Sequence, residues 1–356
     1  MRRPGLFYCN GETAMETLLS VKDLKIDFDQ GKRFVRALHG VNLDVAKGEV
    51  LGVVGESGCG KSITWLAALG LLGNRARISG SVRLDGEEIA GMNETDLSRL
   101  RGGRIAMIFQ DPSSSLNPVH RIGRQINEAL KLHRGLTGAA ADAESARLLD
   151  RVGIANATRR LREYPHEMSG GMNQRIMIAM ALAGEPELLI ADEPTTALDA
   201  TIQAQILDLL TELRRDTGMA LVLISHDLGV VADMSDRVAV MYGGRVIEEA
   251  DTGSLFDNPA HPYTKGLIAA LPDIDGPRRR LESIPGTVPA PDQLPPGCSF
   301  APRCAIASKI CDAAMPGFLP FGESANHFAA CVKCREEAPF GEAAPGEAVK
   351  PGLVPA

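Results

Sequence analysis

The run Val50-Leu-Gly-Val-Val54, followed at once by Gly55-Glu56-Ser57-Gly58-Cys59-Gly60-Lys61-Ser62, constrains this chain more than any other feature. A short apolar stretch, the pattern G-x-x-x-x-G-K-[ST] and the helical run Ile63 to Leu72 predict a strand, an anion-binding loop and a helix. Glycines let the backbone curl so that successive N–H groups face one anion. The helix N-terminus adds a partial positive charge. Lys61 is then placed to reach the β- and γ-phosphates of a nucleotide, and the Ser62 hydroxyl to ligate Mg²⁺. The candidate nucleotide-binding residues therefore run from Gly55 to Ile63.

Two further stretches fit the same chemistry. Leu188-Leu-Ile-Ala-Asp192-Glu193 is an apolar run ending in two acids. At the C-terminal end of a buried strand, Asp192 is placed to hold Mg²⁺ and Glu193 to polarise a water for attack on a γ-phosphate. Alternatively, the two acids only cap the turn at Pro194. Ser169-Gly170-Gly171-Met172 precedes the apolar run Ile176 to Leu182, so it is either a second anion-binding N-terminus or no more than a helix cap.

Short apolar runs alternate with helical patterns, which predicts an α/β protein. Strands are expected at Val50–Val54, 105–109, 188–191 and 220–224, and near 18–26. Between Pro112 and Pro186 the pattern turns helical, clearest at 139–152, and reads as a helical subdomain over about 112–186. Prolines recur after Asn258, so this part is loop-rich and excludes one long helix.

The chain has 356 residues, enough for about two domains. Its 38 basic and 45 acidic residues leave a net charge of −7, which gives no reason to expect nucleic acid as a partner. No apolar run approaches the roughly 18 residues that span a bilayer. The segment MRRPGLFYCNGET has no apolar core and does not read as a signal peptide. A cytoplasmic location with reduced thiols is expected. Residues 1–14, which include Cys9, read as a loose tail or lie upstream of a start at Met15; 336–356 read as a disordered tail.

The ordered set Gly55–Ser62, Gln110, Ser169–Met172, Asp192–Glu193, Asp199 and His226 resembles the ATP-binding cassette of ABC transporters over residues 15–258. That resemblance implies a P-loop ABC cassette fold: a RecA-like core, an antiparallel β subdomain and a helical subdomain. It further implies an ATPase using ATP and Mg²⁺. Gln110 then resembles the Q-loop glutamine that senses Mg²⁺, and His226 the switch histidine on the γ-phosphate. Ser169, Gly170 and Gly171 resemble the signature that touches ATP bound on an opposite subunit, and Asp199 the D-loop aspartate. Phe28 resembles the aromatic that stacks on adenine, with Phe34 as its rival. Met172 departs from the widespread signature, which ends in Gln, and is similar to one branch: an ATPase subunit of dipeptide and oligopeptide importers. The stretches 190–207, 225–248 and 108–126 are similar to that branch as well.

A chain with one cassette and no span implies borrowed parts. They are a second, related ABC ATPase forming a heterodimer, two transmembrane permease subunits and, indirectly, an extracytoplasmic solute-binding protein. The expected place is peripheral, at the cytoplasmic face of the membrane. A non-transport ABC ATPase, a P-loop regulatory module and an importer of another solute, such as nickel chelates, are the alternatives.

His261-Pro-Tyr-Thr-Lys-Gly-Leu267 and Ile284-Pro-Gly-Thr-Val-Pro289 resemble the C-terminal extension of the same importer ATPases, here about 259–335. It carries Cys298, Cys304, Cys311 and Cys331, with Cys334 as a rival fourth ligand. Four thiols in a proline-rich segment of a reduced protein point to a metal staple, which Zn²⁺ and a [4Fe–4S] cluster both satisfy. The resemblance favours [4Fe–4S]. Buried thiols without metal remain the alternative.

Overall fold

The computed structural model describes residues 16–335, except 32, 74, 112–114, 197, 272–282, 323 and 325. The two expected tails, with Cys9, lie outside the described residues.

Strands β1 (Thr17–Asp29), β2 (Phe34–Ala46), β4 (Ala76–Leu84) and β5 (Glu87–Glu88) form an antiparallel sheet in the order β2-β1-β4-β5. The second sheet holds β3 (Val50–Val54), β6 (Ile105–Ile108), β7 (Leu188–Asp192), β8 (Ala220–Ile224) and β9 (Arg237–Tyr242), all parallel. β10 (Arg245–Asp251), β12 (Phe328–Ala329) and β11 (Leu319–Pro320) extend it antiparallel. The order is β11-β12-β10-β9-β3-β8-β7-β6.

β3 and β8 are apolar throughout, and β7 as far as Asp192, because both faces are covered. Leu189, Ala191, Leu221 and Leu223 face a core shared with helices α3 (Ile122–Arg134), α4 (Gly138–Arg151) and α6 (Gly170–Leu182). Leu188, Ile190, Val222 and Ile224 face the other core, shared with the antiparallel sheet and Trp65. Two adjacent strands thus separate two packed layers through their period-2 alternation.

The expected strands and the helix near 139–152 are present, within one residue at their ends except that β1 runs three residues past the expected end, to Asp29. The first helix, α1 (Lys61–Ala68), is shorter than the expected run to Leu72. Gly70 takes φ 63°, and the Leu71 N–H turns back to the Leu66 carbonyl at 2.8 Å, closing the helix early. The β9–β10 hairpin, turned at Gly243-Gly244, was not among the expected strands.

Beyond Asn258 only short elements occur among the described residues, the longest being the helix Pro262–Ala269. They stay attached to the cassette because β12 pairs with β10. Glu248 of β10, fully buried, accepts the N–H groups of Ala260 and His261 at 2.6 and 2.8 Å and lies 2.8 Å from His327 Nε2. Among the described residues no helix is long and apolar enough to cross a membrane.

Candidate functional site

Parallel strands deliver their carboxyl ends to one edge, so the loops after β3, β6, β7 and β8 gather there. Register fixes the depth: Val53 and Asp192 both pair with Ile224, and Ile108 pairs with Ala191. The phosphate-loop candidate, the paired acids, Gln110 and His226 therefore leave the sheet at one level.

After β3 the chain turns sharply. Gly55 holds φ 149°, and a Cβ there would stand 2.3 Å from the Met241 carbonyl oxygen. Gly60 holds φ 106° and caps α1. Lys61 is buried, and its ammonium donates to the carbonyls of Gly55 and Glu56 at 2.7 and 3.1 Å, across the mouth of the loop. The Ser62 hydroxyl donates to Asp192 Oδ1 at 2.9 Å, so the two expected Mg²⁺-binding groups touch. Burial raises the Asp192 carboxyl above its ordinary range, opposed by that hydrogen bond. Cys59 is fully buried, its thiol raised by desolvation, and Ile63 packs on the core.

Glu193 sits directly after β7 at φ 47°, uncommon for a residue with a Cβ. Its N–H bonds the Ile224 carbonyl at 2.9 Å, which ties it to β8. Its Oε2 accepts from Gln110 Nε2 at 2.9 Å and from the Thr196 hydroxyl at 2.8 Å, and His226 Nδ1 stands 3.4 Å away. Gln110, Glu193 and His226 therefore form one group beside Ser62 and Asp192. A carboxylate held by two donors beside an imidazole is chemically able to orient a water and take its proton.

Ser169 caps α6, accepting the Met172 N–H at 3.3 Å. Asp199 caps α7 (Ala200–Thr217), accepting the Ile202 N–H at 3.0 Å. A Cβ on Gly171 would meet Ile202 at 2.7 Å, so glycine lets these two helix starts approach. Among the described hydrogen bonds, none joins Ser169, Gly170, Gly171 or Asp199 to the Lys61–Glu193 group. Phe28 packs partly against the core, whereas Phe34 is 40 % exposed with the Arg77 guanidinium 3.7 Å over its ring.

Cys298, Cys304, Cys311 and Cys331 line one small cavity together with His261, Phe300 and Lys333. Cys334 does not line it and instead donates its thiol to the Cys331 carbonyl at 3.0 Å. Burial raises the thiols of Cys298 and Cys304, while the Cys334 thiol beside Cys331 lowers that one to about 6. His261 is buried, its Nδ1 accepts the Tyr263 N–H at 3.1 Å, and its Nε2 has no partner among the described atoms. Among the described residues, no three His, Cys, Asp or Glu side chains are drawn together closely enough for a single ion.

Thr196, Tyr263 and Arg303 also join the site, by bonds to Glu193 and Glu56. The spacing Glu193-x-x-Thr196 would have pointed to the first; Arg303 reaches Glu56 across 247 positions, which no local pattern announces.

A phosphate loop whose serine meets a strand-end acid, beside a held glutamate, defines a P-loop ATPase of the cassette type. Comparison with known proteins narrows the class. The profile described as ABC transporter matches residues 38–196, and that described as oligopeptide/dipeptide transporter, C-terminal region, matches 247–311. A Brucella abortus (strain 2308) chain, provisionally named a peptide import ATP-binding protein, is 52% identical over 295 residues, 83% of this chain and 89% of that one. The oligopeptide transport ATP-binding protein OppD of Salmonella typhimurium is 48% identical over 322 residues, covering 90% and 95%. AppD of Bacillus subtilis, of the same description, is 48% identical over 307 residues, covering 86% and 94%. Among solved structures, a dimeric ATP-binding cassette in a post-hydrolysis state with ADP and phosphate superposes with a TM-score of 0.60 at 26% identity, over 66% of this chain and 99% of that one. The chain belongs to the ABC transporter ATPases, in their oligopeptide/dipeptide transport branch.

Proposed function

We propose that this chain is the ATP-hydrolysing subunit that powers import of di- and oligopeptides, acting from the cytoplasmic face of the cell membrane. The observation that carries the proposal is the joining of Lys61, Ser62, Asp192, Glu193, Gln110 and His226 at one sheet edge, in a chain that also bears the oligopeptide-type extension. In this reading residues 15–258 are the cassette, with helical insertion 112–186, and 259–335 the extension.

The roles combine this placement with the resemblance to the ABC cassette. Within the loop Gly55–Ile63, Lys61 and the N–H groups not already bonded inside the protein bind the β- and γ-phosphates, while the Glu56 N–H stays on the Tyr263 hydroxyl; the ammonium leaves the carbonyls that it now contacts. Ser62, Asp192 and Gln110 take Mg²⁺, and Phe28 stacks on adenine. Glu193 takes the proton of the attacking water, while His226 holds the γ-phosphate. Ser169, Gly170, Gly171 and Asp199 stand apart from this group, as suits residues that complete the site of a second, related ATPase across a heterodimer. Two permease subunits and an external solute-binding protein complete the transporter. The nucleotide is then a reversible bridge between half-sites, and its hydrolysis lets them part.

The four cysteines that line one small cavity support the reading of a group held by thiolates, and the His261 Nε2 without a partner among the described atoms lies at the same place. Cys298, Cys304, Cys311 and Cys331 would hold it, with Cys334 behind the fourth. Zn²⁺ and a [4Fe–4S] cluster both accept four thiolates, and the resemblance of the extension to its family favours [4Fe–4S]. Such a group would crosslink a segment with little core of its own.

The test is Glu193→Gln in the assembled transporter. ATP binding is expected to persist while turnover falls at least about a hundredfold, the usual scale for losing a general base. Normal turnover would remove Glu193 from this role.

A further inference from the structure

Arg303 belongs to the extension, one residue before Cys304, yet its guanidinium ends on the phosphate loop. It is 8 % exposed. Nη1 donates to Glu56 Oε2 at 2.6 Å and Nη2 to Glu56 Oε1 at 3.0 Å, a two-pronged pair. Its other bonds run from Nε to the Pro285 carbonyl at 2.8 Å, from Nη2 to the Gly286 carbonyl at 3.3 Å and from Nη1 to the Tyr242 hydroxyl at 3.4 Å. With this many partners the fork has one orientation. Tyr263, fully buried, adds a second hold: its hydroxyl oxygen accepts the Glu56 N–H at 2.8 Å. Tyr263, Tyr242 and Phe300 pack edge-on, with centroids 4.7 to 5.4 Å apart, which fixes both arms of the grip.

Glu56 is an awkward residue for its place. It follows the first glycine of a loop whose N–H groups receive an anion, and a carboxylate there opposes a polyphosphate. The Arg303 fork cancels that charge and holds the carboxylate against the extension. The Tyr263 hydroxyl fixes the Glu56 peptide through its N–H.

We infer that Arg303 and Tyr263 form a clamp through which the C-terminal extension holds the second residue of the phosphate loop in its nucleotide-binding shape. Arg303 is thus a positioning residue for nucleotide binding, acting through Glu56. The clamp rests on the nucleotide reading given above and is independent of what the cysteine cavity holds. It is nonetheless continuous with that cavity: Tyr263 follows the lining residues His261 and Pro262, and Arg303 precedes the lining residue Cys304.

The experiment measures Mg-ATP affinity of the full chain with a fluorescent ATP analogue, and kcat and KM for ATP in the assembled transporter. Arg303→Met is expected to weaken binding about tenfold, one decade in the equilibrium constant, and to raise KM far more than it lowers kcat. Adding Glu56→Gln to Arg303→Met is expected to recover most of the loss, because the liability is an unneutralised carboxylate. A residue that only packs would show no such recovery. Tyr263→Phe keeps the packing and removes the acceptor of the Glu56 N–H; it is expected to raise KM several-fold. It also tests the clamp should Arg303→Met fail to fold. Unchanged affinity in folded Arg303→Met or in Tyr263→Phe, or no recovery in the double variant, would overturn the clamp. Absence of Mg-ATP binding by the unaltered chain would overturn the nucleotide reading instead.

Discussion

At the scale of single residues, the acid after β7 shows how much of a site lies in its supports. Glu193 holds an uncommon backbone angle, takes its N–H to β8 and has one carboxylate oxygen shared among Gln110, Thr196 and His226. Asp192 and Glu193 were legible as a pair because a buried strand has no stabilising reason to end in two acids. Thr196 was not, since a Thr in a Pro-Thr-Thr turn is ordinary until its hydroxyl is seen on the carboxylate. A hydrogen bond to a charged group contributes about 1.5–3 kcal/mol. Thr196→Val therefore is expected to lower kcat roughly tenfold or more through misplacement of Glu193, and to leave KM for ATP nearly unchanged. Steady-state hydrolysis by the assembled transporter checks it, and a change confined to KM would assign Thr196 to binding instead.

At the scale of elements, the strands were readable because full burial on both faces demands continuous apolar runs, as in Val50–Val54 and Ala220–Ile224. The β9–β10 hairpin is harder to read although Gly243-Gly244 marks its turn, because Arg237, Arg245, Glu248 and Glu249 break its apolar pattern. Helix ends were less readable than helix bodies: α1 stops at the Gly70 closure, while the apolar residues run on to Leu72. The helical layer adds charge chemistry of its own. Glu144 of α4 accepts from Arg134 of α3 at 2.7 Å and from Arg147 at 2.7 and 2.8 Å. These guanidinium bonds hold its carboxyl down at about 2. An unfolded glutamate titrates near about 4.3, so the contribution is full above that value and lost as pH falls through the folded one. Allowing for the exposed arginines, it is on the order of 1–2 kcal/mol at neutral pH. Glu144→Gln is expected to lower chemical stability by that amount at pH 7. The gap to the unaltered chain should close between about pH 4 and pH 2. Denaturant titrations at several pH values measure it, and a gap that persists at acid pH would show that Glu144 acts by shape rather than charge.

At the scale of the whole molecule, the extension is joined to the cassette more closely than its proline-rich sequence suggests. Its prolines announced loops correctly, yet the two-residue strand Phe328–Ala329 has no period by which it could be seen joining β10. The join is threefold. The sheet continues into the extension, buried Glu248 of β10 is held by Ala260, His261 and His327, and the rings of Tyr263 and Phe300 cover Tyr242 at the end of β9. Val238, Val240, Ile247 and Ala250 lie in that same core, so ending the chain at Asn258 would open an apolar face of the sheet to water. Each fully exposed aliphatic or aromatic side chain forfeits about 1.5–3 kcal/mol, and several would be uncovered at once. The chain cut after Asn258 is therefore expected to melt roughly 10 °C or more below the full chain, since 1 kcal/mol shifts a domain of this size by about 2–4 °C. It should also bind Mg-ATP more weakly, because Glu56 would lose both Arg303 and Tyr263. Restoring charge balance with Glu56→Gln in the shortened chain should recover part of the affinity and none of the melting temperature. That separates the two roles of the extension: cover for the sheet and clamp for the phosphate loop. A shortened chain that melts with the full-length one would show that the sheet needs no such cover.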